Sequence, residues 1–452
     1  MNSNLKILHL TPHLGGGVGS VIRGYLEYES TNSRSVHKVA SLDYLNAESK
    51  ELFDTLNIEW IENAYYSPEP LSSSISNADI VLIHWWNHPL LQSLLMNQIL
   101  PKSRIVVWAH ISGNLSPNNF CDFILSYPDK FIFTTPLSFA SNIVVKNSSF
   151  LRSELSCIWS TTGVEKLQKY EKSAHEKKCQ IPVKIGYVGN LDYSKLHPEF
   201  FDICKKVLNP EVNIHVIGPL TSTFILDLER QQFDQGFVPT GYIPEDQKFE
   251  LMSSFDILLY PLAKDHYGTC DQVIQESMAL GVVPVVLNNQ MESYMIENGV
   301  TGLIAQDVDD FVLKIKELVS NMELRKKLRK NVMEFAKNKY RISDMAELWD
   351  VEFKSIMRKP KRLHSTLSNA MGRKLEPNEI FINSLGFEGG LFELHKKALT
   401  FEEVKIWSTQ ISSFYSSPKW ASPTKSSPKH FAQFFPDDYW LKVWIGLIGT
   451  KN

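Results

Sequence analysis

Residues Tyr260 to Pro284 read YPLAKDHYGTCDQVIQESMALGVVP. The run that leads into them, Asp256-Ile257-Leu258-Leu259-Tyr260, is short and apolar, as in a strand buried on both faces of a parallel sheet. A polar loop with Gly268 and Thr269 follows. Asp271 to Leu280 then places Val273, Ile274 and Met278 at helical spacing, with Gly281 as a stop. Val282 to Leu287 is the next apolar run. Strand, loop, helix, strand is the repeating unit of a parallel α/β sheet. Thr269 or Asp271 stands where a helix cap is needed. The free N–H groups of that helix start would suit a phosphate. Glu276, inside the helix, is either a surface charge or an acceptor for two neighbouring sugar hydroxyls, as on a ribose.

This stretch resembles the donor-binding segment of retaining GT-B glycosyltransferases of the GT4 type (glycosyl transferases group 1). The family pattern is a Glu, seven residues, then a second Glu with a small-Met-Ala-x-Gly-x-Pro-Val run. Glu276-Ser277-Met278-Ala279-Leu280-Gly281-Val282-Val283-Pro284-Val285 matches the second half. The first Glu falls at position 268, which is Gly268; Asp265 and Asp271 are the nearby carboxylates, neither at the family spacing. The resemblance implies that Gly268, Thr269, Asp271 and Glu276 face the donor.

Outward from this stretch, the strand Lys184–Val188 leads into Gly189-Asn190-Leu191-Asp192-Tyr193-Ser194-Lys195. The family has Gly-Arg-Leu, three residues, then Lys-Gly, and its Arg and Lys neutralise the donor diphosphate. Here Asn190 replaces the Arg and Leu196 the Gly, while Lys195 is kept. One cation stabilises a leaving diphosphate less than two. Val212–Ile217 is a further strand. Thr240-Gly241-Tyr242-Ile243-Pro244 is similar to the family segment near the nucleobase, so Ile243 is a backbone contact for the base. Glu297-Asn298-Gly299-Val300-Thr301-Gly302 resembles another family run. Asp309–Tyr340 reads as helical; its Arg325–Lys330 piece is a solvated face or, alternatively, a contact with a membrane surface. Met345–Met357 is an amphipathic helix of the kind that crosses back to the N-terminal domain in this fold.

Upstream, Leu5–Leu10 is a strand, Gly15-Gly16-Gly17-Val18-Gly19 a tight turn, and Ser20–Tyr28 a helix. The turn is either structural or a close backbone approach to a ligand. Ile22 occupies the third glycine position of the dinucleotide fingerprint. The resemblance assigns Gly16, Gly17 and Gly19 to the donor phosphates and acceptor. Further strands are expected at Val36–Leu42, Ile58–Glu62, Ile80–His84, Arg104–Trp108, Phe131–Thr134 and Cys157–Ser160. His84-Trp85-Trp86-Asn87-His88-Pro89 concentrates rings at the carboxyl end of one of them, where open α/β sheets bind ligands; packing of a domain edge is the plainer explanation. Pro89 argues against a helical two-histidine metal site. His110, after the Arg104–Trp108 strand, sits where the family often has a histidine at the donor sugar or reaction centre.

The 452 residues hold two or three domains' worth of chain. With 43% hydrophobic and 21% charged residues the composition is that of a globular protein, and a net charge of −3 gives no argument for nucleic-acid binding. Five scattered cysteines without paired spacing favour reduced thiols and disfavour zinc or disulfides. No apolar run approaches a membrane span, and the chain enters its first strand with no apparent leader.

The expectation is therefore an α/β protein of the GT-B class with two facing Rossmann-like domains. The first is an acceptor-side domain over 1–162, and a linker spans 163–183. A nucleotide-sugar domain covers 184–340, a crossover helix 341–359, and an extension of unassigned role 360–452. The resemblance implies a metal-independent, retaining transferase for polysaccharide synthesis, with His110 and Lys195 catalytic. It needs no cofactor, only a nucleotide-diphosphate sugar as donor. The acceptor is a glycan or lipid-linked glycan, and the setting cytoplasmic or at the inner membrane face. The aromatic piece Phe431–Ile448 must bury against the core, an oligomer partner or the acceptor. Asn190 and Gly268 favour, as the alternative, a catalytically weak binding or partner subunit; a sugar-nucleotide epimerase is the other.

Overall fold

The computed structural model describes residues 4–33, 35–147, 155–170, 181–233 and 235–448. The chain forms two compact units, residues 1–160 with 345–452, and residues 161–344.

In the first unit the apolar runs become β1 (Lys6–Thr11), β2 (Val36–Ser41), β3 (Glu59–Ile61), β4 (Ile80–Trp85) and β5 (Ile105–Ala109). A short antiparallel ribbon, β6 (Asn114–Leu115) with β7 (Asn118–Asn119), precedes β8 (Lys130–Phe133) and β9 (Leu155–Cys157). The main sheet has the order β3-β2-β1-β4-β5-β8-β9, and its strand pairs are all parallel. β4 and β5 are buried along their whole length, which is why they read as unbroken apolar runs.

The second unit holds β10 (Val183–Val188), β11 (Val212–Ile217), β12 (Phe237–Gly241), β13 (Ile257–Tyr260), β14 (Val283–Leu287) and β15 (Leu303–Ala305). Their order is β12-β11-β10-β13-β14-β15, again parallel throughout. Val164–Tyr170, in the stretch expected to link the domains, is a 3-10 helix of this unit. The rest of that stretch, 171–180, lies outside the described residues.

Three local readings change. The glycine turn is shorter than expected, because the helix runs Gly16–Asn32 and takes Gly16, Gly17 and Gly19 into its first turn. The region Asp309–Tyr340 is two helices, Val308–Ser320 and Met322–Lys339, with the Asn321 side chain accepting the Leu324 N–H at 3.0 Å to cap the second. Arg325 is no part of a solvated face. It is buried and donates to the carbonyls of Leu318 and Val319, filling the open carboxyl end of the preceding helix.

The extension is core, not appendage. Phe381, Phe392, Trp420, Phe431 and Trp444 lie in one hydrophobic cluster with Leu8, Ile83 and Phe131 of the sheet and Leu94 of the helix Pro89–Asn97. Burying each such ring is worth about 1.5–3 kcal/mol. Asn97 exchanges hydrogen bonds with the Leu375 backbone at 3.1 and 2.9 Å, and Asn119 Nδ2 donates to Leu385 O at 2.7 Å. Arg362 meets Asp129 at 2.5 Å. The aromatics that had to bury against something bury against their own unit. Ahead of the extension, the helix Ile342–Ile356 sets Trp349 edge-on to Trp108, with ring centroids 5.1 Å apart.

Candidate functional site

In the second sheet the chain runs outward from β10 through β11 to β12, then returns to β13 beside β10. Strand order reverses there, and loops at the carboxyl ends of two such strands leave a crevice that binds ligands. The loop after β10 carries Asn190 to Lys195, and the loop after β13 carries Pro261 to Asp271. They are fastened side by side: the Ala263 N–H donates to Lys195 O at 2.8 Å and the His197 N–H to Pro261 O at 3.0 Å.

This fastening brings Lys195 Nζ to 2.7 Å from Asp271 Oδ1, in a pair whose side chains are 12% and 6% exposed. The Tyr260 hydroxyl donates to the same oxygen at 3.2 Å. Burial opposes ionisation of both partners. The Asp271 charge, aided by Tyr267 and Tyr187, overcomes it for Lys195 and raises its pKa. Lys195 and His266 overcome it for Asp271 and lower its pKa. Lys195 is therefore not the lone cation that the sequence suggested; it arrives compensated. For the same reason Asp271, at the N-cap position of the helix Gln272–Ala279, makes no side-chain cap hydrogen bond. Thr269 lies in the loop before it and is not the cap residue either.

His266 Nε2 is 2.8 Å from Glu292 Oε1. Its Nδ1 accepts the Gly268 N–H at 3.0 Å, so the ring proton on Nε2 points at the carboxylate. Burial depresses the imidazolium, but Glu292 and then Asp271 outweigh it and raise the His266 pKa. Together His266, Asp271 and Glu292 bring ligand-type atoms within 4.8 Å of one another, a grouping the sequence reading, which named no metal ligands, did not foresee. Lys195 supplies positive charge against Asp271, and His266 an N–H against Glu292.

The cluster also explains Gly268. A Cβ there would lie 2.8 Å from His266 Cε1 and 2.9 Å from Asp271 Oδ2. The space that a side chain at position 268 would enter is taken by His266 and Asp271. Asp265 is exposed.

Glu276 is buried at 3% exposure, so it is not a surface charge. Both its oxygens accept from Lys248 Nζ, at 3.2 and 3.1 Å. Asn190 is exposed, with Nδ2 3.4 Å from the Tyr267 hydroxyl. Ile243 is half-buried between exposed Tyr242 and Pro244.

The first sheet has its own reversal between β1 and β4. Gly19 is required where the helix packs on the strand end, since a Cβ would fall 1.8 Å from Leu14 O. Gly16 takes φ +64, while Gly17 has open space around it. His13 Nδ1 accepts the Gly15 N–H at 3.1 Å, and its ring stacks on Tyr44 at 5.3 Å. His88 packs edge-on to His13 at 5.7 Å and to His430 of the extension at 5.0 Å. His110 is 8% exposed, and burial pushes its pKa down to about 3. Its Nε2 is 3.1 Å from His84 Nδ1. His84 itself is fully buried.

Sequence reasoning singled out Lys195, Asp271 and Gly268, which the structure gathers, and missed His266, Glu292 and Lys248. The signal for His266 was its place in the loop after β13, the same loop as Gly268. Glu292 offered none, because it follows β14 by five positions in an ordinary short helix.

Residues 169–335 match the family model described as glycosyl transferases group 1. No curated protein sequence matches the chain. Among solved structures it is similar to HepE of Anabaena in complex with UDP and glucose, at 14% identity and TM-score 0.59 over 78% of this chain and 100% of that one. A glycosyltransferase from Rickettsia africae gives 15% identity and TM-score 0.61 over 79% and 100%. Sucrose-phosphate synthase of Thermosynechococcus elongatus gives 13% and 0.60 over 78% and 100%. The chain therefore has the GT-B fold of two Rossmann-like units, and its second unit carries the segment that matches the glycosyl transferases group 1 family.

Proposed function

We propose that the protein moves a sugar from a nucleoside-diphosphate donor to a hydroxyl of a glycan or lipid-linked acceptor, with retention at the anomeric carbon and no metal ion. The observation that carries this reading is the Lys195–Asp271 pair at the β10/β13 reversal, inside the group 1 match. Lys195 meets the leaving diphosphate and gives up part of its contact with Asp271 as negative charge grows on phosphate oxygen. The acceptor oxygen bonds to the anomeric carbon on the face from which the diphosphate departs. The bond to the diphosphate oxygen breaks, and that oxygen takes the acceptor proton.

Glu276 accepts from the ribose hydroxyls, its carboxylate held in place by Lys248. Ile243 lines the base, Thr269 and Gly268 the phosphates, and Asn190 the rim. In the first unit Gly16 and Gly17 leave room at the helix start, Gly19 lets that helix pack close on Leu14, and His110 contacts the sugar. HepE of Anabaena has been seen with UDP-glucose, and the pneumococcal O-GlcNAc transferase GtfA with UDP and GlcNAc. That makes UDP the first nucleotide to try.

No helix among the described residues is long and apolar enough to cross a membrane. Cys121, Cys157, Cys204 and Cys270 are thiols rather than disulfides, which supports a reducing, cytoplasmic setting with at most peripheral membrane contact. Calorimetric titration with UDP tests the donor assignment: binding that weakens in Lys195→Met supports it. No binding of UDP, GDP, ADP or dTDP would reject it.

A further inference from the structure

The first sheet reverses between β1 and β4, the kind of place where open α/β sheets bind ligands, and the loops that leave those strands carry His13 and His88. The extension adds a third imidazole beside them. Its loop 422–430 is pinned to the loop after β4. The Ser426 hydroxyl donates to Asn87 O, and Asn87 Nδ2 donates to Pro117 O at 3.0 Å and to Asn119 O at 2.8 Å. Ser426 takes φ +60, a left-handed backbone that few residues other than glycine adopt. His430 then packs edge-on to His88, and His88 edge-on to His13, in a row of three rings. Tyr44, itself exposed, stacks on His13.

Each ring is held in the same tautomer. His13 Nδ1 accepts the Gly15 N–H at 3.1 Å, His88 Nδ1 the Leu90 N–H at 3.3 Å, and His430 Nδ1 the Ser426 N–H at 3.1 Å. A backbone N–H can only donate, so each Nδ1 is a lone pair and each neutral ring carries its proton on Nε2. Among the described residues nothing accepts a hydrogen bond from these three Nε2–H groups. His88 and His430 are 1% and 5% exposed, and a buried donor without an acceptor is costly.

Burial keeps the rings neutral. It lowers the pKa of His13 to about 4 and that of His430 to about 3, with the Lys425 charge the next cause in both. It takes His88 well below the ordinary value, with His430 and His13 adding to the effect. Lys425 stands in the same pinned loop, and among the described residues no carboxylate acts on the three rings. Neutral N–H groups donate without first being protonated. Three of them with an ammonium close by outnumber the two oxygens of a carboxylate and suit the three terminal oxygens of a phosphate.

We propose that His13, His88 and His430 form a phosphate site in the first unit, and that it seats a phosphate carried by the acceptor. The second clause rests on the glycosyl-transfer reading above; the phosphate site itself does not. The donor's diphosphate is the other source of the same chemistry, and it is assigned above to Lys195 of the second unit. Through His430 the extension binds substrate as well as completing the core.

Proton–nitrogen NMR of the full chain with nitrogen-labelled histidine, titrated with inorganic pyrophosphate, reads the site directly. The Nε2 signals of residues 13, 88 and 430 are expected to move together and to saturate, with or without UDP present. Unmoved signals overturn the phosphate site, and a response abolished by saturating UDP overturns its assignment to the acceptor. His430→Asn keeps an acceptor for the Ser426 N–H but removes the Nε2–H. Pyrophosphate affinity should then fall about tenfold or more, as for a lost hydrogen bond to a charged group, while UDP affinity stays the same. His430→Gln, whose amide N–H can stand where Nε2–H stood, should keep most of the affinity. Equal pyrophosphate affinity in wild type and His430→Asn overturns the role of His430. Lys425→Gln, at a half-buried side chain, should also weaken pyrophosphate, and it keeps the test open if His430→Asn does not fold. Geranyl diphosphate binding more tightly than pyrophosphate identifies a lipid diphosphate as the source, and glucose 1-phosphate doing so identifies a sugar phosphate. If no donor is turned over by the wild type, the glycosyl-transfer reading fails, and the titration still decides the phosphate site.

Discussion

Replacing Lys195 alone should cost more stability than replacing Lys195 and Asp271 together. Lys195→Met leaves the Asp271 carboxylate buried, with the Tyr260 hydroxyl at 3.2 Å and the neighbouring His266 and Glu292 to offset it in part. Its Oδ2 has no hydrogen-bond partner among the described residues. Breaking one side of a buried pair costs about 3–5 kcal/mol, and the 12% exposure of Lys195 is too small for solvent to screen it away. For a unit of this size that is a fall in melting temperature of roughly 6–20 °C. Asp271→Asn should destabilise similarly by stranding the ammonium. The double variant removes both charges, and should lie closer to wild type than the sum of the singles, with a coupling of about 1–3 kcal/mol. Thermal melts followed by circular dichroism at neutral pH measure all four corners. Single variants within 2 °C of wild type, or strictly additive effects, would refute the claim that Lys195 is held compensated.

Gly268→Glu restores the family residue but forces a Cβ to 2.8 Å from His266 and adds a third carboxylate; a loss of about 1–3 kcal/mol is expected, with no gain in turnover. The raised pKa of His266 makes its contribution to stability full below the ordinary histidine value of 6.5 and lost as pH rises through the folded value. The melting-temperature gap between wild type and His266→Gln should accordingly shrink from pH 5 to 9, and a widening gap would contradict the assignment. Glu276→Ala should weaken UDP binding by roughly 1.5–3 kcal/mol by calorimetry, and unchanged binding would remove the ribose role. Residues 1–360 expressed alone should be insoluble or molten, because Phe381, Phe431 and Trp444 are core; a well-folded monomer would show that the extension serves something else.

The sheets were legible because parallel strands buried on both faces leave unbroken apolar runs, as in Ile80–Ile83 and Ile257–Tyr260. The group 1 segment was legible from Glu276 to Val285, where helix, stop and strand follow one another without interruption. What could not be read was pairing across loops. Nothing along the chain says that Asp271 turns from capping its helix to meeting Lys195, 76 positions away. Nor does it say that Lys248 reaches Glu276. Gly268 read as a loss until His266 and Asp271 were seen in the space that a side chain there would enter. The tail's partner stayed open for a related reason: its aromatic density showed that it must bury, but only its place in one cluster with Leu8, Ile83 and Phe131 shows where. His9, inside Lys6–Thr11, was an overlooked polar residue with a sequence signal. A histidine amid Ile7, Leu8 and Leu10 in a buried strand needs partners, and it found them on the two neighbouring strands.

The most direct measurement of the central claim is proton NMR of the purified protein with UDP-, GDP-, ADP- and dTDP-sugars, with and without chelator, following the anomeric signal. The account predicts release of a nucleoside diphosphate from at least one donor and a product of the donor's anomeric configuration. The rate should be insensitive to the chelator and greatly reduced in Lys195→Met. An inverted product, an absolute need for a divalent ion, or wild-type rates in Lys195→Met would contradict it.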